Sequence, residues 1–287
     1  MKSGGEPCHV LPVSSIAARS PTERPVARCE IRMLTTIGEL LESYRLRYEV
    51  YSGLGYLRRL NDARLDIDEY DSSAIPFAAF DIESGEMIGT LRVVTTETQT
   101  DYDYLIRTIV AAHGDGELAK QVWGPQPHPL PSIVSESVER EIEVFNPERY
   151  AIREMSRCIV REDRRGTGIS RGLTELGMAH AIALGPAVLI GGCVPEHLPM
   201  YARYGFSKLQ HTELEHFDSV GQLAHTIICR TDSVPQPTQS HIESLLRAMS
   251  HGASEHTHEL GRDSYALFRV VAPRRVRRRT MEWQVPL

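Results

Sequence analysis

Apolar and aromatic residues recur at Ile37, Leu40, Leu41, Tyr44, Tyr48 and Tyr51, the spacing of one helical face. Thr36 stands just before this run with Glu39 three residues on, a pair that can satisfy each other's backbone donors as a capping box, so a helix is expected to start there. Residues 77–81 and 87–95 then read as two strands joined by the turn residues Glu83-Ser84-Gly85-Glu86, an antiparallel hairpin. Between 97 and 139, helical spacing around Tyr104, Leu105 and Val110 gives way to Gly124-Pro125-Gln126-Pro127-His128-Pro129-Leu130-Pro131. Proline removes backbone donors and fixes φ, so no regular element is expected through that run, and the segment reads as an insertion or lid.

Strand character returns over 150–160 and is followed by the turn Arg164-Arg165-Gly166-Thr167-Gly168. Ile169, Leu173, Leu176, His180 and Ala183 step by four and three, so a helix opens straight out of the glycines. The apolar run 187–194 suits a strand buried on both faces, a short helix fits 197–204 with Gly205 as its stop, and alternation over 225–230 gives a last strand. This order describes an α/β fold, a mixed central sheet flanked by helices. A Ser/Pro/Gln-rich linker then leads to a helix near 239–249 and a strand-like 265–271. The expected organisation is a flexible leader (1–30), one main domain (31–232) and an extension packing on it (233–287).

Composition narrows this picture. With 287 residues and 41% apolar content the chain can bury one sizeable core. The first 28 residues lack the continuous apolar stretch of a secretory signal or a membrane span, so a cytoplasmic protein is expected. Five cysteines, Cys8, Cys29, Cys158, Cys193 and Cys229, are widely spaced, odd in number and without a C-x-x-C pair, which argues against a disulfide framework or a zinc knuckle. His251, His256 and His258 lack a matching ligand pattern and read as a solvated loop, so no metal is expected. The net charge is -6, yet five arginines between Arg274 and Arg279 against Glu282 make the last fifteen residues basic. The acidic remainder repels nucleic acid. That tail could instead attract an acidic protein partner.

The turn Arg165-Gly166-Thr167-Gly168-Ile169-Ser170 lies between a strand and a helix, where backbone N–H groups and a helix N-terminus converge on one point of positive potential. Glycine at 166 and 168 lets an anion approach the main chain. Downstream, Tyr201-Ala202-Arg203-Tyr204-Gly205-Phe206 matches a Y-x-x-x-G-F ending. With these two motifs at this separation the chain resembles the GNAT N-acyltransferases, whose R-x-x-G-x-[GA] loop holds the pyrophosphate of coenzyme A or the phosphate of a phosphopantetheine arm. Arg165 and Gly168 match that loop, and Ser170 replaces its last small residue. The resemblance implies the GNAT fold. It also implies that the tyrosine at 201 protonates the leaving thiolate, with ring packing as the alternative, and that the strand carrying Glu154 splays from its neighbour.

A second constellation, Arg47, Tyr51, Asp68, Asp71, Arg92, Glu154 and Arg157, resembles in order and spacing the acyl-homoserine-lactone (autoinducer) synthases and the related long-chain N-acyl amino acid synthases, over residues 35–231. Tyr56 or Leu57 stands where the autoinducer synthases have tryptophan, and the Arg-Gly-Thr-Gly loop is intact, features closer to the second group. Arg92 and Arg157 stand on expected strands, where isolated arginines need carboxylate partners, and Asp68, Asp71 and Glu154 are available. Arg47, Tyr51, Asp68, Asp71 and Arg92 are therefore expected at the amine substrate, with Glu154, Arg157 and Tyr201 as the catalytic set. The alternative is that the pairs brace the N-terminal segment against the sheet. The implied donor is an acyl thioester of acyl carrier protein (ACP) or CoA, with no tightly bound cofactor, and the implied acceptor is an amino acid or similar amine. Rival readings are an autoinducer synthase using S-adenosylmethionine, an acetyl-CoA-dependent acetyltransferase, and a non-catalytic module that binds acyl groups or ACP.

Overall fold

The computed structural model describes residues 28–271 apart from 58–59, 97–101, 115, 127, 218–220, 252 and 262–263. Strand β1 (Arg28–Met33) and helix α1 (Ile37–Gly53) lead to the hairpin β2 (Ala74–Asp81) and β3 (Met87–Thr95). Helices α2 (Tyr102–His113), α3 (Gly116–Trp123) and α4 (Glu136–Phe145) precede β4 (Ala151–Val160), α5 (Ile169–Ala183), β5 (Ala187–Cys193) and α6 (Leu198–Ala202). Strands β6 (Ser207–Lys208), β7 (Glu215–Phe217) and β8 (Gln222–Arg230) follow, then α7 (Gln236–His251), β9 (Ala253–Gly261) and β10 (Ser264–Val271).

The capping box at α1 forms as its residues imply: the Glu39 N–H donates to Thr36 Oγ1 and the Thr36 N–H donates to Glu39 Oε2, both at 3.2 Å. The strands run in the order β6-β8-β5-β4-β3-β2-β1-β10-β9, with β7 paired on β8. Period-two alternation divides their side chains between two faces. Ile75, Phe77 and Ala79 of β2 and Leu189 of β5 join the α5 and α7 side chains, among them Leu173, Leu176, Ile242 and Leu245, in one cluster. Their neighbours face the other way, Ala78 and Phe80 toward α1, α2 and α3, and Val188 and Ile190 toward Val138 and Ile142 of α4. Helices thus cover both faces of a mixed α/β sheet.

Two irregularities converge on β4. The pairing of β3 with β4 slips between Thr90 and Arg92, and within the resulting bulge Arg157 takes the left-handed φ of 53° that non-glycine residues rarely adopt. On its other edge β4 pairs in parallel with β5 only from Ala151 to Glu154, opposite Ala187 to Ile190, although both strands continue. Beyond that point they part.

Several expectations change. Residues 28–30, assigned to the leader, belong to β1. The helical spacing around Tyr104 and Val110 forms α2 and the proline-rich run is irregular, as expected, while α3 between them is an added helix. The helix expected over 197–204 is regular only over Leu198–Ala202; the Gly205 N–H then bonds the Ala202 carbonyl and the Phe206 N–H the Tyr201 carbonyl, so Gly205, at a φ of 89°, is the stop that its residue type implies. His256 and His258 lie on β9 and not in a loop. Among the described residues no group of three or more His, Cys, Asp or Glu could hold a metal, and no helix is long and apolar enough to cross a membrane. The extension places α7 against α5, and β10 completes the sheet beside β1. Cys29, Cys193 and Cys229 are buried and, like Cys158, unbridged. Cys8 and the arginines from 274 to 279 lie outside the described residues.

Candidate active site

Where β4 and β5 part, a cavity of about 620 Å³ opens. Residues 154–160 of β4 form one side, Gly192, Cys193 and Val194 the facing side, the 164–170 turn one end, and Met200, Tyr201 and Phe217 part of the cover. Gly191 makes the geometry possible, because a Cβ there would meet the Met155 carbonyl oxygen at 2.9 Å. The splay expected of the Glu154 strand is present.

Glu154 is the last β4 residue paired with β5, only 1% exposed, and lines the cavity. Burial lifts its carboxyl pKa to about 7, against the lowering influence of the Ser132 N–H and the Arg92 charge. That N–H donates to Glu154 Oε2 at 2.7 Å, and the Ser132 carbonyl in turn accepts from Thr226 Oγ1 at 3.1 Å. The carboxylate's holder therefore comes from the segment between α3 and α4, which sequence reasoning treated as an insertion. Ser132 carries no signal in sequence apart from lying beside a proline-rich run.

The arginines behind Glu154 find aspartate partners. Arg47 Nε donates to Asp66 Oδ2 at 2.8 Å and its terminal nitrogens to Asp71 at 2.8 and 3.1 Å. Arg92 holds both oxygens of Asp68, at 2.6 and 2.9 Å, and Arg157 reaches Asp66 at 2.8 Å and Asp68 at 3.0 Å. Burial alone would raise the carboxyls of Asp66 and Asp68, but the guanidinium charges outweigh it and hold both below the usual carboxylate range. Asp66, and not Glu154, completes the set of carboxylate partners. Buried charges require close partners, and these six supply one another. Consequently Arg47, Asp68, Asp71 and Arg92, expected at the substrate, are absent from the cavity lining, whereas Arg157 and Tyr51 belong to it. The Tyr51 ring centroid lies 5.3 Å from the Arg157 guanidinium carbon and 6.0 Å from the Tyr56 ring.

The glycine turn sits at the other end. Gly166 and Gly168 have φ of 77° and 83°, a region that favours glycine, and Ile169 begins α5. Arg165, Gly166, Gly168, Ile169 and Ser170 line the cavity. Thr167 does not: its hydroxyl donates to the Arg164 carbonyl at 2.6 Å and closes the turn. The first amides of a helix have no partner within it, so the start of α5 offers donors and positive potential to an anion. Tyr201 both packs edge-on against Phe206, with centroids 5.9 Å apart, and lines the cavity; burial holds its pKa well above 10.

No family model matches the sequence, and no curated protein matches it. Among solved structures, the chain is similar to FeeM, an N-acyl amino acid synthase from uncultured soil microbes, with a TM-score of 0.52 at 16% identity over 74% of this chain and 98% of that one. TofI, solved in a ternary complex with an inhibitor and MTA, is similar with a TM-score of 0.46 at 14% identity over 75% and 96% of the two chains. BjaI, a CoA-dependent acyl-homoserine lactone synthase solved with SAM and isopentyl-CoA, gives 0.44 at 17% identity over 76% and 90%. The likeness to FeeM establishes the fold, which is the GNAT fold.

Proposed function

We propose that this protein is an N-acyltransferase that moves a long-chain acyl group from the thioester of ACP or CoA to the amine of an amino acid or similar small molecule. The observation that carries this reading is Glu154, a buried carboxyl with a pKa near 7 at the parting of β4 and β5, in a cavity whose other end is a glycine-lined helix N-terminus. A base poised near the working pH suits removal of a proton from an amine. The helix start suits the phosphate beside the pantetheine arm, a group common to both donors.

In the proposed step the amine nitrogen attacks the thioester carbonyl carbon while Glu154 accepts an N–H proton. The β4 main chain, released from β5 beyond Glu154, offers N–H groups to the developing oxyanion. The C–S bond breaks and the amide is left on the acceptor. Tyr201 donates a hydrogen bond to the departing sulfur. Its pKa is well above that of a thiol, about 8.5, so it stabilises the thiolate without surrendering its proton outright. The six-charge cluster acts through Arg157 and Tyr51, holding the wall on which the acceptor rests.

The test is to incubate purified full-length protein with acyl-ACP or acyl-CoA and a panel of amines that includes amino acids and S-adenosylmethionine, following thiol release and acylated amine by mass spectrometry. Donor-dependent acyl-amine formation is expected, and thiol release no faster than the blank with every pair would overturn the reading. Gly168→Val, which puts a branched side chain at a left-handed φ beside the anion site, is expected to abolish donor binding in calorimetry while circular dichroism shows a folded chain.

A further inference from the structure

Phe217 is 2% exposed yet belongs to none of the three apolar clusters of the described residues. It ends β7, whose residues pair with Gln222 to Ala224 of β8, and the strand is further tied down by the Ser135 hydroxyl, which donates to Glu215 Oε1 at 3.0 Å. The ring rests on the backbone of Gly192: a Cβ built there would lie 2.7 Å from Cε1 and 2.9 Å from Cδ1. Gly192 does not have a left-handed φ, so the aromatic contact, and not the backbone conformation, accounts for glycine at this position in β5.

The cavity that Phe217 lines is mixed: Ser132, Glu154 and Arg157 are polar, while Val50, Leu54, Ile159, Val194, Met200 and Phe217 are apolar. Gly192, under the Phe217 ring, pairs with Thr226, whose hydroxyl donates to the Ser132 carbonyl, and the Ser132 N–H holds Glu154, so the ring stands at the Glu154 end of the cavity. If the donor's phosphate sits at the start of α5 and its carbonyl at Glu154, an alkyl chain that continues past Glu154 leaves water against the apolar lining there, and Phe217 is the ring it meets.

We propose that Phe217, seated on Gly192, is the stop that sets the length of acyl chain the site accepts. The inference rests on the acyl-transfer reading above and adds the residue that selects among donors. Each methylene that gains a buried place contributes ~0.8 kcal/mol, about fourfold in kcat/KM, and a methylene forced against a packed ring loses at least as much.

The experiment compares kcat/KM for straight-chain acyl thioesters from four to sixteen carbons (C4–C16) on one carrier, using the full-length parent, Phe217→Ala, Phe217→Leu and Gly192→Ala, each checked for folding by near-UV circular dichroism. Phe217→Ala vacates the space of a phenyl ring and should move the optimum about three to four carbons longer, raising kcat/KM at least tenfold for donors beyond the parent's optimum. Phe217→Leu should give a smaller shift in the same direction and serves if the alanine variant does not fold. Gly192→Ala, whose methyl group must displace the ring, should also change the length profile. Folded variants that transfer acyl groups with the parent's profile, scaled equally at every length, would overturn the inference while leaving acyl transfer standing. A parent that transfers none of the donors would remove the reading and the inference together.

Discussion

Asp68 and Glu154 are buried to nearly the same degree, 4% and 1% exposed, and stand in opposite states. Asp68 is gripped by Arg92 and Arg157 and is held well below the usual carboxylate range; Glu154 has the Ser132 N–H within reach and is lifted to about 7. Burial is common to both, so the neighbours decide. Three guanidinium groups and three carboxylates neutralise one another in a closed cluster. A carboxyl with a backbone donor and, among the described residues, no ion-pair partner keeps a proton that it can give or take.

The contrast can be broken most strongly from the paired side. Asp68→Ala leaves Arg92 and Arg157 buried with a lost partner and should cost about 3–5 kcal/mol, lowering the melting temperature by roughly 10 °C. Thermal unfolding within 2 °C of the parent would show that the cluster does not brace the N-terminal segment. Glu154→Gln should instead lower kcat/KM about 100-fold and abolish the limb that rises with a midpoint near pH 7. Its stability effect has the opposite pH sense to that of a salt-bridged carboxylate. A raised carboxyl contributes stability that is present below the ordinary value of about 4.5 and lost as pH rises through about 7, so the glutamine variant should melt higher than the parent at pH 8 and level with it at pH 4.

A third buried group sharpens the rule. His180 packs edge-on to Phe77 at 5.4 Å, neither ring nitrogen has a hydrogen-bond partner among the described residues, and burial, aided by the Arg153 charge, lowers its pKa to about 4. Its stabilising contribution is present above 6.5 and lost as pH falls toward 4, on the order of 1–2 kcal/mol between pH 7 and 5. His180→Leu should flatten the melting-temperature profile in that window, and parallel profiles would refute the assignment. The smallest effect is expected from Tyr201→Phe. Loss of one hydrogen bond to the leaving sulfur should reduce kcat less than tenfold and do so more for a poorer leaving thiol, in a series of thioesters of graded leaving-group pKa.

Much of this arrangement is legible along the chain because it is local. The capping box at Thr36, the β2–β3 hairpin, and the glycine turn opening α5 are set by residues a few positions apart, and each forms where its residues imply. Glu154 and Arg157 could be marked as charges on a strand. What escaped is long-range. Asp66 reads as one of several acids in a polar connection until folding brings Arg47 and Arg157 to it, and Ser132 matters through a backbone N–H, which every residue but proline has. The bulge at Arg157 depends on the register of β3 against β4, and β1 is too short to declare itself before β2 and β10 flank it.

That last pairing bears on how the chain is made. On the ribosome β1 emerges before every other described element and gains one neighbour when β2 follows, but its other edge is completed by β10, the last of the described elements to be translated: Arg28 pairs with Leu267 and Arg32 with Val271. Until then an edge of unpaired amides and carbonyls stands open on a nascent sheet, a template for association with other chains. Closing it also requires the most distant strand pairing among the described residues, so it belongs among the late and slow events of folding. A stalled nascent chain that ends before residue 264 should therefore be more prone to aggregate than the released protein.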